Sequence, residues 1–312
     1  MAGQWARRLI VDYAVYLLVR CVFCVVQTLT LDACESLSRG LAWLACDVLK
    51  LRDNVTDENL RAVYPRKSDR ERQRIKRQMW EHLILLGCEI AHAPRKVHET
   101  NWRRFVHVRD RRDIVRYLLD PRPLVFVSGH FGNFEMAGYI AGLLGFPTFA
   151  IARPLDNPFL DRYLKKFRSA KGQYVLPKEG SAPQVERILE RGGTLSLLAD
   201  QHAGPKGCWV DFMGRPASCH KALAVFTMTA DAPLLVCYVR RLGKPLHFEV
   251  GLAGWIDPAT MPAKMKGIKP ITQWYNERLE DVVRAVPGQY WWLHRRWREP
   301  PASKRAKLNK AA

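Results

Sequence analysis

Apolar and polar positions change rhythm twice along the chain. The first stretch, from Leu9 to Leu31, is almost unbrokenly apolar, with only Asp12 and Arg20 interrupting it. A spanning helix needs about 20 mostly apolar residues, and a charge in mid-span is costly. The pattern therefore predicts an interfacial or partly inserted helical anchor rather than a clean span. The competing reading is an ordinary amphipathic helix packed on the domain. No small-residue cleavage site follows, so a secretory signal fits poorly. Residues 57–65 then read as a short helix stopped by Pro65. Ser68 stands where the N-cap of a long helix, reaching about Ala91, belongs.

From Pro123 onward the period shortens. Residues 124–127 form a short apolar, β-branched run ended by Ser128-Gly129, and a helical pattern follows from about Asn133 to Leu144. Residues 148–152 repeat the strand signal, with a helix over about 157–170. A helix at about 184–191 leads into the strand 194–199, which ends at Asp200-Gln201. Strand-like runs at 233–239 and 247–250 and a final helix over about 271–286 complete the pattern. Strands alternating with helices predict an α/β fold: a mixed, largely parallel sheet flanked by helices, with an N-terminal helical membrane-associated segment. The expected division is 1–50 for that segment, 51–298 for the catalytic domain and 299–312 for a flexible basic tail, whose basic character begins at Arg295.

Charge narrows the partners. Lys and Arg total 50 against 30 for Asp and Glu in 312 residues, a formal charge of +20 that favours polyanions: nucleic acid, anionic lipid or phosphorylated substrates. No helix-turn-helix, zinc-finger or RNA-binding aromatic motif is present, so nucleic acid is not expected. Residues 66–77 hold seven basic and two acidic side chains, which form a solvated helix face or meet anionic lipid. Eight scattered cysteines, mostly in apolar stretches, predict reduced thiols in a cytosolic compartment. Cys208, Cys219, His202 and His220 match no standard ligand spacing, so no metal is expected.

His130 falls between a buried-looking strand and a helix, where α/β sheets expose side chains. A neutral histidine can take a proton from an attacking hydroxyl, and a nearby carboxylate can orient the ring and stabilise the imidazolium. Glu135, five residues on, is the nearest carboxylate. Gly129 and Gly132 let the turn tighten, and its amides are placed to stabilise an oxyanion. The alternative is that His130 caps the helix while Glu135 pairs with a surface cation. Ser128 lies in no nucleophile elbow.

Residues 123–241 resemble the lysophospholipid acyltransferase superfamily, with its His-x4-Asp/Glu motif. The closer likeness, over most of the chain, is to the lipid A biosynthesis acyltransferases. It rests on an ordered set: 57–65 (DENLRAVYP), 129–135 (GHFGNFE), 152–158 (ARPLDNP), 199–201 (ADQ), 212–216 (FMGRP) and 290–297 (YWWLHRRW). The resemblance implies His130 as general base with Glu135 as its partner. It implies substrate-binding places for Arg153, Asn133, Gly132, Asp200 and Gln201. Arg153 otherwise forms an ion pair with Asp156 or Asp161, and Asp200 a cap. Residues 178–180 (KEG) resemble a third block loosely.

The implied donor is an acyl carrier protein thioester, or acyl-CoA, and the acceptor is a hydroxyl of a phosphorylated glycolipid. No cofactor is expected. The implied location is the inner membrane, with the catalytic domain on the cytosolic face and an anionic membrane surface beside it. His202 stands where the family has a further aspartate, and Val210-Asp211-Phe212-Met213-Gly214 departs from the family pattern. A glycerophospholipid or another glycolipid as acceptor, or a lipid thioester hydrolase, is the alternative.

Overall fold

The computed structural model describes residues 2–299, with side chains from residue 7 onward, so the expected tail lies almost wholly outside the described residues. Four helices come first: α1 (Ala2–Thr28), α2 (Leu31–Trp43), α3 (Asp53–Val63) and α4 (Asp69–Lys96). Residues Arg7–Thr28 of α1 form a helix long and apolar enough to cross a membrane, with mean hydropathy 2.2. Its two interrupting charges are answered locally, Asp12 by Arg8 at 4.0 Å and Arg20 by the Tyr16 hydroxyl at 2.9 Å. Thr30 caps α2 through its hydroxyl. Ser68 and Glu71 form a reciprocal capping box at the start of α4, where the sequence places it.

The sheet follows. Its elements are β1 (Val106–Val108), α5 (Arg111–Leu118), β2 (Leu124–Ser128), α6 (Phe134–Leu143), β3 (Thr148–Ala152), α7 (Pro158–Ser169), β4 (Gln173–Pro177), α8 (Ala182–Glu190) and β5 (Thr194–Leu198). A hairpin comes next, β6 (Cys208–Phe212) and β7 (Arg215–Cys219). The chain closes with α9 (Ala222–Thr229), β8 (Leu234–Arg241), β9 (Phe248–Ile256) and α10 (Ile268–Ala285).

Seven strands lie in the order β1-β9-β8-β2-β5-β3-β4. β2 runs parallel to both β5 and β8, and β3 runs parallel to β4 and β5. Only β8 and β9 pair antiparallel within this sheet, so it is mixed and largely parallel, as the alternation predicts.

β2 is central and covered on both faces. Val125 and Val127 are fully buried in a core shared with α4, α9 and α10. Each contributes about 1.5–3 kcal/mol by leaving water. On the opposite face, Met136, Tyr139 and Ile140 of α6 pack with Ala93 and Val97 behind β8.

The topology sets where chemistry can gather. β2 is followed by α6 and β3, but β5 later inserts between β2 and β3. Ser128 pairs with Leu198 in that register, so the residues two positions beyond each strand, His130 and Asp200, emerge side by side. α7 meets α1 through aromatic rings: Phe159 lies 5.1 Å from Tyr13, and Tyr163 lies 5.8 Å from Phe23. Asn157, which caps α7, also donates to the Asp12 carbonyl at 2.7 Å. The first residues of the expected basic end are not tail-like: Arg296 is 2% exposed and donates to the Ser218 carbonyl at 2.7 Å.

Candidate active site

The carboxylate that holds His130 is Asp200, not Glu135. Asp200 Oδ1 lies 2.8 Å from His130 Nδ1, and its Oδ2 accepts the His130 backbone N–H at 2.7 Å. Asp200 is 3% exposed. Burial alone raises its pKa, but the His130 ring, the two hydrogen bonds from His130 and the Arg296 charge bring it net below the usual carboxylate value. Burial, and after it the nearby charge of the same carboxylate, push the Tyr290 phenol well above its ordinary pKa. An ionised Asp200 accepts only, so it fixes the proton of a neutral His130 on Nδ1 and leaves Nε2 with a free lone pair. Gln201 Nε2 stands 3.4 Å from that atom.

Two aromatic rings wall the imidazole. Phe134 and Trp291 meet it edge-on, with centroids at 4.9 and 5.3 Å. Trp291 also donates its backbone N–H to the His130 carbonyl at 3.0 Å, tying segment 289–291 to the turn.

Glu135 has a different partner. Arg168 of α7 binds both its oxygens, at 2.9 and 2.6 Å, a bidentate pair in which both side chains are largely buried. The sequence alternative thus holds for Glu135, though its cation is not on the surface. It fails for His130, because the cap of α6 is Asn133, whose Oδ1 accepts from the Met136 amide at 3.2 Å.

Asn133 and Gly132 serve the turn rather than facing a substrate. Asn133 is fully buried and donates its Nδ2 to Glu89 at 2.8 Å. Gly132 sits at φ +57 against the Val239 carbonyl, where a side chain would collide with the backbone of β8. The amides of His130, Gly132 and Asn133 are all engaged, by Asp200, the Gln289 carbonyl and the Val239 carbonyl. These three amides are therefore not free to bind an oxyanion.

Arg153 directly follows β3 with its side chain 78% exposed, and among the described residues its ion pair is with the exposed Asp156 at 2.7 Å. Such a pair contributes little and is readily exchanged for another anion. His202 donates its amide to His294 Nε2 at 3.0 Å, and its ring meets Trp209 edge to face. All eight cysteines are free thiols.

An open apolar cavity of about 90 Å³ lies between α6 and the sheet, bordered by α5. Phe126, Ala141, Leu144 and Cys237 line it, and Ser128, two residues before His130, is also on its wall. Sequence reasoning missed this cavity, along with Arg168, Trp291 and Tyr290. The signal for the last two was the aromatic block 290–297, noted as a resemblance without a role.

The chain is 22% identical over 268 residues to a lipid A biosynthesis lauroyltransferase of Escherichia coli (strain K12), covering 84% of each. It is also 22% identical to a lipid A biosynthesis palmitoleoyltransferase of the same strain, over 83% of this chain and 82% of that protein. A crystal structure of the 1-acyl-sn-glycerophosphate (LPA) acyltransferase from Thermotoga maritima aligns with 84% of this chain and all of its own at 11% identity, with a TM-score of 0.39. Residues 1–299 match the bacterial lipid A biosynthesis acyltransferases, and the chain belongs to that family of enzymes.

Proposed function

We propose that the protein transfers a fatty acyl group from a thioester, carried by acyl carrier protein or coenzyme A, to a hydroxyl of a phosphorylated lipid A precursor, with His130 as general base. The observation that carries this reading is the His130–Asp200 contact of 2.8 Å between neighbouring strand ends. The acceptor hydroxyl takes the place beside Nε2 that Gln201 now borders. Its oxygen attacks the thioester carbonyl as Nε2 removes its proton, and Asp200 stabilises the imidazolium. The tetrahedral intermediate collapses with cleavage of the C–S bond. The proton on His130 then passes to the departing thiolate.

The apolar cavity beside Ser128 supports an acyl chain lying along α6, because each methylene it covers gains about 0.8 kcal/mol. Arg153 supplies an exposed guanidinium for the acceptor's phosphate. Glu135 anchors Arg168, and through it α7, beside the turn. Leu9, Ile10, Leu18 and Val25 of α1, together with Leu41 and Trp43 of α2, expose an apolar surface that supports anchoring in the inner membrane, with the catalytic domain on its cytosolic face.

The test incubates purified protein with carrier-protein and CoA thioesters of several lengths and candidate acceptors, and weighs the lipids. The expected result is a lipid A precursor heavier by one acyl group, with one thiol released per transfer. Thiol release without acylated lipid would replace the reading with a thioester hydrolase. Acylation of a glycerophospholipid alone would move the acceptor.

A further inference from the structure

The turn that presents His130 is gripped from beneath by a buried polar network whose members lie far apart in sequence. His82 and Glu89, one on each side of a two-turn interval of α4, are 3% and 0% exposed, and Arg241 at the end of β8 is 8% exposed. Arg241 binds both oxygens of Glu89, each at 2.6 Å, and its Nη1 lies 2.8 Å from His82 Nδ1. The two remaining donors on Glu89 are the Leu246 amide at 3.0 Å and Asn133 Nδ2 at 2.8 Å. His82 Nε2 lies 3.0 Å from the Gly132 carbonyl.

The hydrogen-bond partners fix the state of His82. A guanidinium only donates, so Nδ1 must accept from Arg241. The proton is therefore on Nε2, which donates to the Gly132 carbonyl. Burial and the adjacent guanidinium keep the ring neutral. His82 thus relays the fixed Glu89–Arg241 pair to the Gly132 carbonyl, two residues after His130 and immediately before Asn133. Three consecutive holds result: Asp200 on His130, His82 on Gly132, and Glu89 on Asn133.

We infer that His82 is a positioning residue for acyl transfer, acting through its Nε2–H bond to Gly132 to set where His130 Nε2 meets the acceptor hydroxyl. The inference rests on His130 as the base. A displacement of the base by a fraction of an ångström lowers the rate of proton transfer without altering the surfaces that bind the donor chain or the acceptor phosphate. The effect belongs to kcat, with KM for both substrates left in place.

The test compares His82→Leu with His82→Gln in the full chain, at a temperature where both are folded by circular dichroism. Leucine fills much of the volume but neither donates nor accepts. Glutamine accepts from Arg241 with its oxygen and donates to Gly132 with its nitrogen. The expected result for His82→Leu is a kcat lower by about 10- to 100-fold, with KM for donor and acceptor within about threefold of wild type. For His82→Gln, most of that kcat returns and the pH–rate profile keeps its shape, because His82 carries no proton in the reaction. A His82→Leu enzyme with kcat within twofold of wild type would overturn the inference, as would a loss confined to KM. A shifted pH profile in His82→Gln would also overturn it, by making His82 a proton carrier. His130→Ala runs in parallel. If it stays active, the base assignment fails, whereas an inactive His130→Ala beside a normal His82→Leu removes the positioning role alone.

Discussion

Replacing Asp200 by asparagine is the most informative single change, because the carboxylate serves two donors of one residue. Oδ2 accepts the His130 backbone N–H at 2.7 Å, and Oδ1 lies 2.8 Å from Nδ1. An asparagine offers one acceptor and one donor group in that place. If its oxygen keeps the ring, the buried backbone N–H faces an amide nitrogen, at a cost of about 1–3 kcal/mol. If its nitrogen faces the ring, it donates to Nδ1 and forces the proton to Nε2, which removes the base. In either orientation the imidazolium formed during transfer loses its counter-charge. For charges roughly 4 Å apart at an effective dielectric of about 20, that loss is about 4 kcal/mol, or about three orders of magnitude in rate. The assay is single-turnover transfer from an acyl thioester, followed by thiol release and lipid mass. Asp200→Asn is expected to lose about 1,000-fold in kcat, and Glu135→Gln distinctly less, because Glu135 is spent on Arg168. A folded Asp200→Asn within tenfold of wild type, or a larger loss in Glu135→Gln, would refute the assignment of Asp200 as the orienting group.

Three further outcomes are expected. Arg153→Ala raises KM for a phosphorylated acceptor by about tenfold, the size of one charge-assisted hydrogen bond, and leaves a dephosphorylated acceptor unaffected; equal effects on both would remove Arg153 from the phosphate site. Burial, with Arg296 opposing Asp200, lowers the His294 pKa to about 4 from 6.5, so the unfolded chain binds more protons in that window and stability falls as pH drops below about 6.5. Discounted for partial exposure, the loss from this group between pH 7 and pH 5 is about 1 kcal/mol, and His294→Gln should flatten the melting curve against pH by that amount; superimposable curves would deny it. Deleting the residues before Asp32 should leave the protein in the supernatant when anionic vesicles are sedimented, and undiminished sedimentation would discard the anchor.

The sheet was readable because burial on both faces makes its central strands apolar runs, as in 124–127 and 194–198. Its neighbours were not. Glu135 is five residues from His130 and Asp200 is seventy away, so sequence proximity favours the wrong carboxylate. Only the insertion of β5 beside β2 brings Asp200 into register, and strand order is a property of topology. The β6–β7 hairpin stayed hidden because its turn places Met213 at φ +59 ahead of Gly214, where the recognisable signal is Asn-Gly or Asp-Gly. Arg296 read as part of a basic tail, since nothing local shows that the Gln201 and Ser218 carbonyls, Cys219 and Asn276 will receive it. Two resembling blocks, 57–65 and 290–297, prove to be one structural unit: Asn59 donates to the carbonyls of Trp292 and His294 at 2.8 and 2.9 Å.

The central claim is that His130, fixed by Asp200, removes the proton of the acceptor hydroxyl. The most direct measurement is acyl transfer by folded His130→Ala protein, read as the mass of the lipid product alongside its circular dichroism spectrum. Loss of transfer by at least three orders of magnitude with the fold intact is the expected result. Full transfer by the folded variant would contradict the account.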